Sequence, residues 1–185
     1  TSLLWTSSGT GTFDDATILA ATYTPSAADI TAGTVTLTLT AQSAAPCVQA
    51  SDAMVLTISL QATADAGADA TICEGSTYTL STAVATNAAT ILWTTSGTGT
   101  FSSNIVQNPV YTPSQNDIDD GSVILTMTVT SAAPCVGDAD QMVLTINPQA
   151  TVSAGVDATI CEGSDYTLST AVATNATSLL WTSSG

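Results

Sequence analysis

The chain has 185 residues, 15 of them Asp or Glu, and contains no Lys, Arg or His, so its formal net charge is −15. This composition argues against nucleic acid as a partner, because no side-chain cation is present to neutralise phosphate. It also disfavours an anionic membrane surface, and the sequence has no run of about 18 apolar residues that could insert into a bilayer. An enzyme is not expected, because the chain lacks the side chains that ordinarily titrate near neutrality.

The sequence repeats itself with a fixed step of 88 residues. Trp5, Trp93 and Trp181 are each 88 residues apart, and the four cysteines obey the same step. Most overlaid positions are identical, and the overlay needs no gap. A long, fixed period indicates an array of equal modules.

The step divides the chain into one complete repeat and two partial ones. Residues 62–149 form the complete repeat, residues 1–61 the C-terminal part of a repeat, and residues 150–185 the N-terminal part of the next. The connecting segments around Gln61 and Gln149 are only a few residues long. Neighbouring repeats are therefore expected to abut rather than swing freely.

Apolar and polar residues that alternate between turn-forming residues predict about seven short strands in the complete repeat. In chain order these strands cover residues 69–73, 77–84, 91–95, 100–102, 108–112, 122–130 and 141–146. The polar, acidic segment 115–121 is predicted to be a loop. Short strands rich in Thr and Val are typical of an all-β fold, here a tandem array of immunoglobulin-like antiparallel β-sandwiches.

The common inward register of these strands predicts the hydrophobic core of the complete repeat. The residues expected inside are Trp93, Tyr78, Leu80, Tyr111, Leu125, Met127 and Leu144. A single tryptophan on the third strand is typical of a sandwich core. The alternative is an exposed Trp93 on which a sugar ring stacks, which would make the repeat a polysaccharide-binding module.

Two groups of aspartates are the candidates for a cation site. They are Asp117, Asp119 and Asp120 in one loop, and Asp138 and Asp140 in a later one. Carboxylates grouped on a turn can bind Ca²⁺, although this spacing differs from that of an EF-hand loop. The preceding repeat keeps only Asp29 of the first group, with Thr31 and Ala32 at the other positions. Solvated loop charge is therefore the favoured interpretation and calcium the alternative, and no other cofactor is expected.

A resemblance to a known family is carried by the runs AGADATICEGSTYTLS, ILWTTSGTGTF, NPVYTPS and DGSVILTMTVTSAAPC. The chain resembles the immunoglobulin-like, PKD-like tandem repeats of giant surface adhesins of the gliding-motility type in the Bacteroidetes. The resemblance covers the whole chain and implies type IX secretion, an extracellular location at the cell surface, and an elongated stalk or filament. The expected partners are neighbouring repeats of the same chain. The alternatives are a surface polysaccharide, and other copies of a self-associating filament subunit whose strand edges are completed by a neighbouring chain.

The four cysteines, Cys47, Cys73, Cys135 and Cys161, are candidates for disulfides, because two per repeat in an exported chain suggest an oxidising compartment. In an immunoglobulin-like sandwich, Cys73 would follow the first strand at one end, and Cys135 would lie between the last two strands at the other end. Those ends are roughly 30 Å apart, whereas a disulfide tolerates Cα atoms only about 4.4–6.8 Å apart. Bonds between successive repeats are therefore favoured, with bonds within a repeat and free thiols as alternatives.

Overall fold

The computed structural model describes residues 2–184 of the chain. The first partial repeat contains β1 Leu3–Ser7, β2 Thr12–Phe13, β3 Tyr23–Thr24, α1 Ala27–Ala32, β4 Thr34–Ala41 and β5 Ala50–Thr57. The complete repeat contains β6 Thr63–Asp65, β7 Ala70–Cys73, β8 Tyr78–Thr79, β9 Val84–Thr86, β10 Thr90–Thr95, β11 Thr100–Phe101, β12 Val110–Thr112, α2 Gln115–Asp120, β13 Ser122–Thr130 and β14 Asp138–Asn147. The last partial repeat contains β15 Thr151–Ser153 and β16 Val172–Thr174. The fold is all-β, as the sequence pattern predicted.

The strands of the complete repeat are arranged in sheets whose order places the first strand beside the last. One sheet has the order β10-β13-β14-β7, a second has the order β11-β12-β8, and β6 pairs with β9. The second sheet is antiparallel throughout. The pair β14–β7 is parallel and aligns Leu144 with Ala70 and Asn147 with Cys73. This parallel pair departs from the antiparallel expectation, and it brings Cys73 to the end of the repeat.

The core of the complete repeat is built by alternate residues of its long strands. In β13 every second residue from Val123 onward is buried, which is the period of a strand with one face inside. Leu125 and Met127 on β13 and Leu144 on β14 have no exposed surface. The prediction of a sandwich with this register is therefore confirmed.

The segment 115–121, predicted as a loop, is the helix α2 followed by a glycine. The Ser114 hydroxyl accepts the N–H of Asp117 at 3.2 Å, and the Asp117 carboxylate accepts the N–H of Ser114 at 3.0 Å. This reciprocal pair is a capping box, which fixes the first turn of a helix. Gly121, with φ of 73°, ends the helix in the left-handed conformation that glycine adopts without strain. Six residues are too few for the helical period to show in the sequence.

The predicted strand 77–84 is also wrong in detail, because a turn separates β8 from β9. The N–H of Leu80 donates to the Pro109 carbonyl at 3.0 Å. The side-chain amide of Asn108 donates to the carbonyls of Leu80 at 2.6 Å and Ala83 at 3.1 Å. These bonds come from a segment almost thirty residues away, so local alternation could not indicate the turn.

The chain divides into two compact units. The first unit holds residues up to Ala64 together with Ala85–Ile91 and Thr128–Ala139, and the second holds Asp65–Val84, Leu92–Met127 and the described residues from Asp140 onward. In the first unit, β1, β4 and β5 form an antiparallel sheet in which Val35 and Leu37 are buried. This unit therefore combines the first partial repeat with three segments of the complete repeat.

Candidate functional site

A buried aspartate organises the loop between β10 and β11 in the complete repeat. Asp117 is 1 % exposed. Its Oδ1 accepts the N–H of Thr98 at 2.9 Å, and its Oδ2 accepts the N–H of Gly99 at 3.0 Å and the hydroxyl of Tyr111 at 2.7 Å. With the N–H of Ser114, four donors surround one carboxylate. The carboxylate therefore joins the loop, strand β12 and helix α2 through four neutral donors.

The first partial repeat contains a second copy of this network. Asp29 is 3 % exposed and accepts the N–H groups of Thr10 at 3.0 Å and Gly11 at 2.9 Å. It also accepts the Tyr23 hydroxyl at 2.8 Å and the N–H of Ser26 at 3.0 Å. Because all five residues have counterparts 88 positions later, the network belongs to the repeat and not to one copy.

The donors around these carboxylates decide their protonation. Burial alone would raise the pKa of Asp117, but hydrogen bonds from Tyr111, Ser114 and Thr98 outweigh it and hold the pKa below its ordinary value of 3.8. The backbone of Ser26, followed by the Tyr23 hydroxyl, likewise holds the pKa of Asp29 well below that value. Both aspartates are therefore ionised at neutral pH.

Tyr111, Gly97 and Gly99 pack closely around the Asp117 carboxylate. Burial, together with the neighbouring carboxylate of Asp117, raises the pKa of Tyr111 to about 12, so its hydroxyl stays a donor. A Cβ on Gly99 would overlap the Tyr111 hydroxyl and the Asp117 carboxylate. A Cβ on Gly97 would overlap the same carboxylate from the other side.

Four of the five aspartates proposed as calcium ligands accept hydrogen bonds from separate partners. Asp117 is a buried structural group, so the interpretation of it as solvated loop charge is wrong. Asp119 is exposed and accepts the side-chain amide of Gln115 at 2.8 Å, and Asp120 is exposed. Asp138 and Asp140, predicted to lie in a loop, instead begin strand β14, because their carboxylates bond the edge of the first strands of the repeat. Asp138 accepts the N–H of Ala64 at 3.0 Å, and Asp140 accepts the N–H of Ala66 at 2.8 Å. Among residues 2–184, no three acidic or other metal-ligating side chains form a group that could hold an ion.

The residues predicted to form the core are almost all buried. Trp93 is 1 % exposed and donates from its indole nitrogen to the Val106 carbonyl at 3.1 Å. Its ring centroid is 6.0 Å from that of Phe101, which is 5.0 Å from that of Tyr111. Leu80, Tyr111, Leu125, Met127 and Leu144 are buried, whereas Tyr78 is half-buried. The indole ring of Trp93 is therefore inside the sandwich, where it offers no face to a sugar.

The end of the first partial repeat, around Ser59, contacts the β13–β14 loop of the complete repeat. The Ser59 carbonyl accepts the thiol of Cys135 at 3.2 Å. The Ser59 hydroxyl donates to the Ala133 carbonyl at 3.5 Å. Both contacts come from the loop between β13 and β14 of the complete repeat, so this loop lies against the preceding joint.

The two residues after this joint are fixed by side chains of the complete repeat. Asn87, which has φ of 52°, donates from its side-chain amide to the Gln61 carbonyl at 3.1 Å. The hydroxyl of Ser131 accepts the N–H of Ala62 at 2.7 Å, and Ala62 has no exposed surface. Sequence analysis missed these anchors.

The next joint, around Asn147 and Gln149, shows equivalent anchors. Asn175, with φ of 55°, donates to the Gln149 carbonyl at 3.2 Å. The N–H of Gln149 donates to the Glu74 carboxylate at 3.0 Å, and the N–H of Glu74 donates to the Asn147 carbonyl at 2.8 Å. The turn that follows β7 is therefore bonded to the residues on either side of Pro148.

The cysteines lie beside these joints. Cys73 is exposed at the end of β7, opposite Asn147, and Cys135 is half-buried against the Ser59 carbonyl. Cys47 and Cys161, their counterparts in the partial repeats, are exposed. All four are thiols in this structure.

The joints and the aspartate network are built to hold the backbone in place. In the described part of the chain, every buried side-chain nitrogen or oxygen has a hydrogen-bond partner.

Neither α1 nor α2 is long or apolar enough to cross a membrane. No protein-family model matches this chain, and it has no significant match among curated proteins.

Proposed function

We propose that this chain is a segment of an extended extracellular stalk or filament, in an adhesin built from tandem immunoglobulin-like repeats. Its work is mechanical: it carries a distal binding region away from the cell and transmits force to it. The observation that supports this proposal most is the matching anchorage of the two joints, in which Asn87 binds the Gln61 carbonyl and Asn175 binds the Gln149 carbonyl.

Anchored joints favour a regular array over a flexible string of beads. A free linker lets neighbouring domains adopt many orientations. Here the residues before and after the joint are hydrogen-bonded to folded elements, at Ser59 on one side and at Gln61 and Ala62 on the other. A joint fixed in this way repeats its geometry every 88 residues, so the array should lengthen by a constant step.

The charge of the chain supports the same proposal. The chain has 15 acidic side chains and no Lys, Arg or His, so the repeats repel one another at neutral pH. The repulsion favours extension and solubility, and salt screens it over about 10 Å at 0.1 M ionic strength.

The cell-surface location, the link to gliding motility and the type IX pathway are parts of this proposal that depend on the sequence resemblance. Sugar binding by Trp93 and calcium binding by Asp117 receive no support from the structure, because the indole is buried and the carboxylate is fully hydrogen-bonded. We therefore propose no second function.

Small-angle X-ray scattering on a length series tests the stalk. The chain is extended in register by one, two or three further copies of residues 98–185. The maximum dimension is expected to grow by about 30–40 Å per copy, the length of a sandwich with strands of about nine residues. A maximum dimension that levels off as copies are added would refute an extended array.

A pair of insertions shows whether the joint sets this step. Three glycines inserted between Gln61 and Ala62 should loosen the joint and broaden the distance distribution. The same three glycines inserted after Ala20, which lies in an exposed turn of the first partial repeat, are the control and should leave the distribution unchanged. Equal broadening by both insertions would show that the anchored joint does not determine the geometry.

A further inference from the structure

We propose that successive repeats are cross-linked by a disulfide between the cysteine at the end of β7 in one repeat and the cysteine of the β13–β14 loop in the next. This inference deepens the proposed stalk function and depends on it. In the complete repeat the first cysteine of this disulfide is Cys73, and its partner is the counterpart of Cys135 in the following repeat.

The argument begins with a single backbone position that both cysteines approach. At the joint after the complete repeat, Cys73 is the strand partner of Asn147, and the N–H of the next residue, Glu74, donates to the Asn147 carbonyl at 2.8 Å. Paired strands are about 4.8 Å apart, so the Cα atoms of Cys73 and Asn147 are neighbours.

At the joint before the complete repeat, the other cysteine approaches the equivalent position. The thiol of Cys135 donates to the Ser59 carbonyl at 3.2 Å. Ser59 lies 88 residues before Asn147, so the two carbonyls are the same position of the repeat. A carbonyl oxygen has two lone pairs and can accept both the backbone N–H on one side and the thiol on the other.

Placing both contacts on one joint puts the Cys73 counterpart beside the residue whose carbonyl accepts the thiol of the Cys135 counterpart. The Cys73 counterpart comes from the repeat that ends at the joint, and the Cys135 counterpart comes from the repeat that begins there. A disulfide needs Cα atoms about 4.4–6.8 Å apart. We infer that two cysteines beside one backbone position come within this distance of each other. Within one repeat, by contrast, Cys73 is beside residue 147 and Cys135 is beside residue 59.

The bond forms by exchange with a small-molecule disulfide such as oxidised glutathione. One thiolate attacks a glutathione sulfur and releases one reduced glutathione. The second thiolate then attacks the protein sulfur of this mixed disulfide and releases another. Two protein thiols become one protein disulfide, two electrons pass to glutathione, and the two thiol protons end on the two released glutathiones.

Disulfide mapping on the 185-residue chain extended by one further copy of residues 98–185 tests the inference. This chain has six cysteines and contains one joint with both required positions. After oxidation with glutathione, an alkylating reagent should modify only four of the six cysteines, because the other two form the disulfide. Digestion at Asp and Glu under non-reducing conditions should yield Cys73 joined to a peptide that contains Cys135. Because the two copies of this peptide are identical, Cys135→Ser in the original repeat is tested beside it and should leave the bond to the added copy's Cys135 intact. Trypsin cannot be used, because the sequence has no Lys or Arg.

Two variants and the unextended chain are the controls. In Cys73→Ser, all five remaining cysteines should be alkylated. Cys161→Ser should leave the disulfide intact. The unextended chain should keep all four thiols. Six reactive thiols in the extended chain, or Cys73 bonded to the Cys135 of its own repeat, would overturn the inference. Scattering on the same extended chain, reduced and oxidised, distinguishes the absence of the disulfide from the absence of an extended array. A constant step per repeat without a disulfide would contradict the cross-link and leave the proposed stalk function standing.

Discussion

Replacing Asp117 by asparagine is expected to destabilise the complete repeat by about 2–4 kcal/mol. Asparagine keeps the shape of the side chain but has one acceptor oxygen and a donor amide in place of two acceptors. If its oxygen takes the Oδ2 position, the N–H of Thr98 faces an N–H₂ group and loses its partner. An orphaned buried donor costs about 1–3 kcal/mol, and the remaining bonds lose the strength that a charged acceptor gives them.

Asp119→Asn is the matched control, because it removes the same charge from the same helix at an exposed site. Its effect should stay within about 0.5 kcal/mol. The assay is urea unfolding followed by tryptophan fluorescence, in a background where Trp5 and Trp181 are replaced by Phe so that only Trp93 reports. With a slope of about 2 kcal/mol per molar urea, Asp117→Asn should lower the midpoint by about 1–2 M. Equal midpoints for the two variants would refute the assignment of Asp117 as a structural carboxylate.

Three further predictions follow from the core, the carboxylates and the proposed disulfide. Trp93→Ala should cost about 3–5 kcal/mol in urea unfolding followed by circular dichroism, whereas Trp181→Ala, at a site that is 56 % exposed, should cost much less. Stability measured by urea midpoints should be flat from about pH 5 to pH 8, because the chain has no His, and should fall below about pH 4. The sign follows from the lowered pKa values of Asp29 and Asp117: as pH falls below 3.8 the unfolded chain binds protons that the folded chain does not. In force spectroscopy of an oxidised array, unfolding one repeat should extend the chain by only the 12 residues from Ala62 to Cys73 rather than the full 88, because force then passes through the disulfide into the next repeat. Each step should therefore shorten by about 250 Å relative to the reduced array. Identical steps under both conditions would contradict the cross-link.

The parts of the fold that the sequence predicted are those in which one strand carries its own signal. Strand β13 alternates buried and exposed residues over nine positions, and this alternation is legible without any partner. Helix α2 has no such signal, because six residues make fewer than two turns and only the spacing of Ser114 and Asp117 marks its start. The turn between β8 and β9 depends on Asn108, which lies far along the chain.

The aspartate network and the joints were beyond sequence analysis for the same reason. The partners of Asp117 include Thr98 and Gly99, nineteen and eighteen residues earlier. The amino-acid composition of a loop does not distinguish a buried carboxylate from a solvated one. The position of Cys73 depends on the parallel pairing of β7 with β14, which an antiparallel expectation does not include.

Comparison of the two copies separates the structural carboxylate from the dispensable ones. Asp29 and Asp117 occupy the same position of the repeat and make the same contacts with a tyrosine hydroxyl and a glycine N–H. Asp119 and its neighbour have Thr31 and Ala32 as their counterparts, and Asp119 is exposed. A chain without cations cannot neutralise a buried carboxylate with a salt bridge, so it must surround the group with neutral donors. Backbone N–H groups are available for this only where the chain turns tightly, which accounts for the glycines beside each aspartate and for the tyrosine that supplies the remaining bond.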